Sequence, residues 1–221
     1  VVGAGAAGLY TAWHLNALGF DVTILEASDH IGGRIRPLTD FADFDIELGA
    51  EEIHGNNSKW YDIVQQTGAT LLNQQTEDYF SFKQALGNPN EPNLKSEAQA
   101  NQYNDFLNTV AFVENAGSYS GIDQSVDSAF KTSGISWNLL PMSNAMLGNE
   151  YGTSDSRLSI RGLAEEDDFW TAGDESYGLK DKSFLWVLET KFAPILDKVK
   201  KALQVKIIDF QNDKVKLKAQ A

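Results

Sequence analysis

The chain has 221 residues, 42% of them hydrophobic, and a formal net charge of −13 from 18 Lys plus Arg against 31 Asp plus Glu. That apolar share can bury a core and excludes a disordered tail, while the lack of an 18-residue apolar run excludes an ordinary transmembrane helix. No basic field draws in nucleic acid or an anionic membrane, and without cysteine there is no disulfide, thiolate nucleophile or Cys-ligated metal. His14, His30 and His54 are scattered and show no metal-ligand spacing, so no metal is expected, and the composition assigns no compartment.

In chain order, Val1 and Val2 are the only apolar residues before the glycines, which suggests a first strand that has lost its beginning. A helix is expected over Gly8–Leu18, with Leu9, Ala12, Trp13 and Ala17 as its apolar stripe and Gly19 as its stop. Phe20–Glu26 reads as a buried strand ending in an acid. Strand, glycine turn, helix and strand within about 30 residues make a βαβ unit, so the two strands should run parallel.

A loop follows from Ser28 to Arg34. Ser58 is expected to cap a helix from Lys59 to Gln66, closed by Gly68. Gly87–Pro92 is a loop. Tyr103, Phe106, Leu107, Val110 and Val113 form the stripe of a long helix ending at Gly117. Ser125–Lys131 and Trp137–Leu147 look like shorter helices, and Asn149–Lys182 is weakly patterned around the acidic run Glu165–Asp168. Phe184–Leu203 reads as helical with a break at Pro194. Val205–Phe210 and Lys214–Lys218 read as strands joined by Gln211–Asp213, the second with one wet face. The chain stops at Ala221 just after this stretch, so a fragment is expected at both ends.

The chemistry concentrates near the start. Gly3-Ala4-Gly5-Ala6-Ala7-Gly8 matches the dinucleotide fingerprint. Gly3 permits a tight turn, Gly5 lets the backbone approach a pyrophosphate, and Gly8 lets the helix pack on the strand. The N–H groups of Ala6, Ala7 and Gly8 would then face the phosphates at a helix N-terminus. Glu26, 18 residues after Gly8, stands where a carboxylate accepts hydrogen bonds from ribose hydroxyls and repels a 2′-phosphate. Six to eight residues beyond it, Gly32-Gly33-Arg34 adds a second backbone approach and a guanidinium to answer the pyrophosphate charge.

Glu26 followed by Gly32-Gly33-Arg34 resembles the FAD-dependent amine oxidase superfamily, which spans monoamine and polyamine oxidases, flavin histone demethylases, L-amino-acid oxidases and, more distantly, protoporphyrinogen oxidase and phytoene desaturase. Glu47-Leu48-Gly49-Ala50-Glu51-Glu52-Ile53-His54-Gly55 extends the likeness toward the polyamine oxidase branch. The resemblance implies FAD as cofactor, with Ala27 joining the glycine, Glu26 and Arg34 contacts and with Gly49 and Ala50 beside the flavin ring. It makes His54 either a substrate contact or a loop histidine bonded to backbone. Glu52 departs from the aromatic residue usual there. Glu51 and Glu52 read either as receivers of a cationic amine or as a solvated pair. Val205-Lys206-Ile207-Ile208-Asp209 resembles a family strand whose valine meets the adenine end, which makes Val205 either a cofactor contact or a core residue. Leu179–Lys182 departs from the Gly-Gly usual there.

The implied architecture is α/β: a Rossmann-like FAD-binding domain from 1–75 and 184–221, with a largely helical substrate domain inserted over 76–183. The implied function is oxidation of an amine C–N bond with O2 as electron acceptor. Another flavoenzyme of the superfamily (a desaturase, a mutase or a protoporphyrinogen oxidase-like enzyme) and a non-catalytic flavin-binding domain are the alternatives. The likeness names no catalytic residue, and the fragment alone is expected to be inactive.

Overall fold

The computed structural model describes residues 1–74, 79–81, 94–210 and 214–220. The expected loop at Gly87–Pro92, the turn at Gln211–Asp213, the domain boundary at 75–76 and the terminal Ala221 lie outside the described residues. The chain forms two compact units, Val1–Gln75 with Ala172–Ala221, and Thr76–Thr171. Residues 172–183, expected in the insertion, therefore group with the first unit. The physical reason is a strand at Ser176–Leu179, which pairs with Ile53–His54 on one side and Leu71–Asn73 on the other, both antiparallel.

The first unit is built on short parallel pairings. Ile24–Leu25 lies in the middle, with Ile24 opposite Val199 and Leu25 opposite Lys200. On its other side Val2 bridges Leu25 in parallel, and Gly3 N–H donates to the Leu25 carbonyl at 2.8 Å. Only Ile24 and Leu25 of the expected Phe20–Glu26 strand form a ladder. Val22 and Ile24 are buried while Asp21 and Thr23 are exposed, so the segment packs by one face rather than two.

The first helix runs Ala6–Ala17. Leu9 and Ala12 are fully buried, but Trp13 is half-buried and Ala17 exposed, so the apolar stripe is shorter than expected. A second helix, Lys59–Thr67, starts where expected: the Ser58 hydroxyl accepts from Tyr61 N–H at 3.1 Å, and Gly68 closes it at φ 76°. A later helix covers Phe184–Phe192 and passes into a 3-10 turn at Ala193–Lys198 rather than continuing to Leu203. Pro194 cannot donate to an α-ladder, and Val199–Lys200 is drawn into the parallel sheet instead. Leu9, Ala12, Ile24, Val64, Val187, Leu188, Phe192 and Ile195 share one core.

Gln204–Asp209 and Lys216–Gln220 form an antiparallel hairpin with Ile208 opposite Leu217. Both faces of the second strand are exposed, Leu217 at 43%, which corrects the expectation of one wet face.

The second unit carries helices Asn104–Ala116, Val126–Thr132 and Ile160–Phe169. In the first of these Phe106 and Thr109 are buried and Leu107 is exposed, so the buried stripe is shifted from the expected one. The expected helix at Trp137–Leu147 is broken into a 3-10 turn, one α-turn entered at Pro141 and a wide turn at Asn144–Gly148. Within the weakly patterned Asn149–Lys182 stretch, the acidic run is the solvent face of the helix Ile160–Phe169, whose Ile160, Leu163 and Ala164 are buried. Among the described residues, no helix is long and apolar enough to cross a membrane.

Candidate dinucleotide site

The two glycine turns meet. Gly5 and Gly32 form a parallel bridge, and Gly32 N–H donates to the Ala4 carbonyl at 2.9 Å. A Cβ on Gly33 would lie 3.4 Å from the Gly5 Cα, so two backbones without side chains line one shallow cradle. Gly8 has the packing role that the fingerprint assigns it: a Cβ there would overlap the Gly3 carbonyl. Gly5 is the N-cap of the first helix and offers no side-chain acceptor, so the leading N–H groups at Ala6, Ala7 and Gly8 receive no cap from it.

Glu26 follows the central parallel strand. Its Oε2 accepts from Ala4 N–H at 2.7 Å, and its Oε1 accepts from the Ser28 N–H and hydroxyl, each at 2.8 Å. Burial pushes this carboxyl up, but the bonds from Ser28, Ala4 and Ala27 together hold it below its ordinary value. An ionised Glu26 is thus fixed against the glycine turn. Ser28 is not an expected site residue; its signal is its place two residues after the acid, where a hydroxyl can turn back to a side chain. Ala27 is exposed beside it.

Arg34 is exposed, and among the described residues its guanidinium meets no carboxylate. Its backbone is held instead: Ala50 N–H donates to the Arg34 carbonyl at 3.1 Å, and a Cβ on Gly49 would overlap that same oxygen. Glu47, in the same segment, accepts from Phe184 N–H at 2.6 Å through Oε1, and its Oε2 is buried without a partner. Burial, opposed by the Phe184 bond and aided by the Asp45 charge, holds the Glu47 carboxyl above its ordinary value.

Val205 belongs to the same unit, in the strand that starts just past Leu203, whose N–H donates to the Glu26 carbonyl at 2.8 Å. The chain turns into that strand at Ala202, with φ 56° in the left-handed region. Val205 is half-buried. His54 and Glu52 come near each other, Nε2 to Oε2 at 4.0 Å, with both side chains largely exposed. Glu51 is exposed. His30 pairs with Asp29 at 2.8 Å on the surface, and His14 contacts the Tyr10 and Trp13 rings. No group of three or more His, Asp or Glu among the described residues is arranged to hold a metal.

Residues 1–67 match the family model of the NAD(P)-binding Rossmann-like domain. The chain is similar to polyamine oxidase 1 of Zea mays, 50% identical over 58 residues that make up 26% of this chain and 11% of that protein. It is also similar to probable polyamine oxidase 4 of Arabidopsis thaliana, 36% identical over 89 residues, 39% of this chain and 18% of that one. Among solved structures, a putrescine oxidase triple mutant redesigned for cofactor binding shares the fold with a TM-score of 0.72 at 14% identity. That match covers 99% of this chain and 53% of the other, so the chain spans about half of that neighbour's length. The N-terminal part of the chain is thus similar to the FAD-dependent amine oxidases, polyamine oxidases among them.

Proposed function

We propose that the first unit binds FAD and that the whole protein oxidises an amine at a C–N bond. The observation that carries the reading is the meeting of the two glycine turns, Gly5 against Gly32 and Gly33, with an ionised Glu26 fixed at their edge. This cradle fits a pyrophosphate, because a side chain at Gly5 or Gly33 would fill it. Ala6, Ala7 and Gly8 offer backbone N–H groups to that pyrophosphate, and Arg34 offers an exposed guanidinium. Glu26 and the adjoining Ala27 hold the ribose, and Val205 flanks the adenine. Gly49 and Ala50 line the flavin, while His54 and Glu52 face the amine.

When bound, FAD would supply the two-electron acceptor for oxidation of a neutral amine at its C–N bond, with O2 as the final electron acceptor. The protein's own part is to bind, orient and exclude water. The name of the matching family model favours a second reading, a nicotinamide dinucleotide in the same cradle.

Purification of the whole protein with a flavin spectrum, bleached on anaerobic mixing with di- and polyamines, is the expected result. A protein that holds NAD and no flavin would establish the second reading. A flavin that no amine bleaches would overturn the amine reading alone.

A further inference from the structure

We infer that Glu47 is a positioning residue for the cofactor: its carboxylate ties the N-terminus of the Phe184–Phe192 helix to the backbone segment that sets Arg34 and the Gly32–Gly33 turn. The inference rests on the reading of FAD in this cradle. Glu47 closes a short strand, Ile46–Glu47, in which it stands opposite Pro37. The next residues run antiparallel to the Arg34 segment, with Leu48 N–H on the Arg36 carbonyl at 2.9 Å and Ala50 N–H on the Arg34 carbonyl at 3.1 Å. From the middle of this ladder the Glu47 side chain reaches 137 residues along the sequence to accept the Phe184 N–H at 2.6 Å.

The same helix end lies beside the glycine turn. A Cβ on Gly32 would lie 3.3 Å from the Leu185 Cδ1, and Gly32 is itself bonded to Ala4 in the first turn. The helix is therefore linked to this region by the Glu47 bond and lies close to Gly32 at Leu185. Ser183 separately caps the same helix, its hydroxyl accepting from Trp186 N–H at 3.3 Å. That division gives an internal control. A residue that only stabilised the helix would act like Ser183; one that positions the turn would act through Arg34.

The test uses the full chain and FAD as the probe, in fluorescence titration. Glu47→Ala should weaken FAD binding on the order of tenfold, as expected for loss of one charge-assisted bond. Glu47→Gln keeps an acceptor and should bind close to wild type. Ser183→Ala should lower thermal stability without a comparable loss of affinity. In an Arg34→Ala background, Glu47→Ala should have a smaller effect than in wild type.

Should the alanine variant fail to fold, Glu47→Asp, too short to span the same gap, stands in for it. Wild-type affinity in Glu47→Ala or Glu47→Asp, equal losses in Ser183→Ala, or full additivity with Arg34→Ala would each overturn the inference. If the wild-type chain holds no FAD, the FAD reading fails by itself. Amide exchange at Ile31–Ile35 then decides the positioning role, with faster exchange expected in Glu47→Ala than in Ser183→Ala and equal exchange overturning it.

Discussion

Glu26 and Glu47 lie in one unit under opposite electrostatic pressure. Glu26 is held below its ordinary value, so between its folded and unfolded values the unfolded chain carries more protons. Its contribution is present above the unfolded value and is lost as pH falls through the folded one. Glu47 is held above its ordinary value, so there the folded chain carries more protons and stability falls as pH rises through that window. Acid titration of thermal stability should therefore show a shallower low-pH decline in Glu26→Gln than in wild type. The Glu47→Gln chain should instead be at least as stable as wild type at neutral pH. Glu26→Gln should also weaken FAD binding on the order of tenfold, read by fluorescence titration. The glycines separate in the same way. A Cβ at Gly5 meets only ordinary contacts, 3.8 Å from the Gly32 oxygen, so Gly5→Ala should fold and fail to retain FAD. A Cβ at Gly8 overlaps the Gly3 carbonyl, so Gly8→Ala should lose about 1–3 kcal/mol or more in denaturant melts before any cofactor is added.

Local elements were legible where their signals are local. The Lys59–Thr67 helix follows from Ser58, Gly68 and its buried Ile63 and Val64, all within a dozen positions. The fingerprint is legible for the same reason, since strand end, turn and helix start are contiguous. The tie from Glu47 to Phe184 was not legible, because nothing in either segment points to the other. The strand at Val199–Lys200 escaped as well: two residues show no period, and only the Ile24 edge makes them a strand. Ser176–Leu179 is short and contains a glycine, and its pairing with His54 and Leu71 depends on distant chain. The helix that supplies the tie is anchored by core packing. Leu188 is fully buried among Val64, Val187 and Phe192 neighbours of the same core, so Leu188→Ala should cost about 2–5 kcal/mol in denaturant unfolding.

At the scale of the molecule, the first unit is assembled from two distant stretches of chain, Val1–Gln75 and Ala172–Ala221. The N-terminal stretch holds the fingerprint, yet much of its core and one side of its central strand come from the second. A chain ending at residue 171 should therefore leave residues 1–75 without native protection from limited proteolysis, although the entire fingerprint is present. Native protection in that truncated chain would count against the discontinuous unit. The same arrangement bears on biosynthesis. Leu25 leaves the ribosome roughly 175 residues before Lys200, its partner in the parallel pairing, and at about 5–20 residues per second that gap lasts on the order of ten seconds or more. Throughout that interval the Ile24 edge has no ladder partner and the faces of Leu9 and Ala12 lack the helix that covers them. Slowing translation after residue 75 would therefore lengthen this exposure rather than help the chain fold.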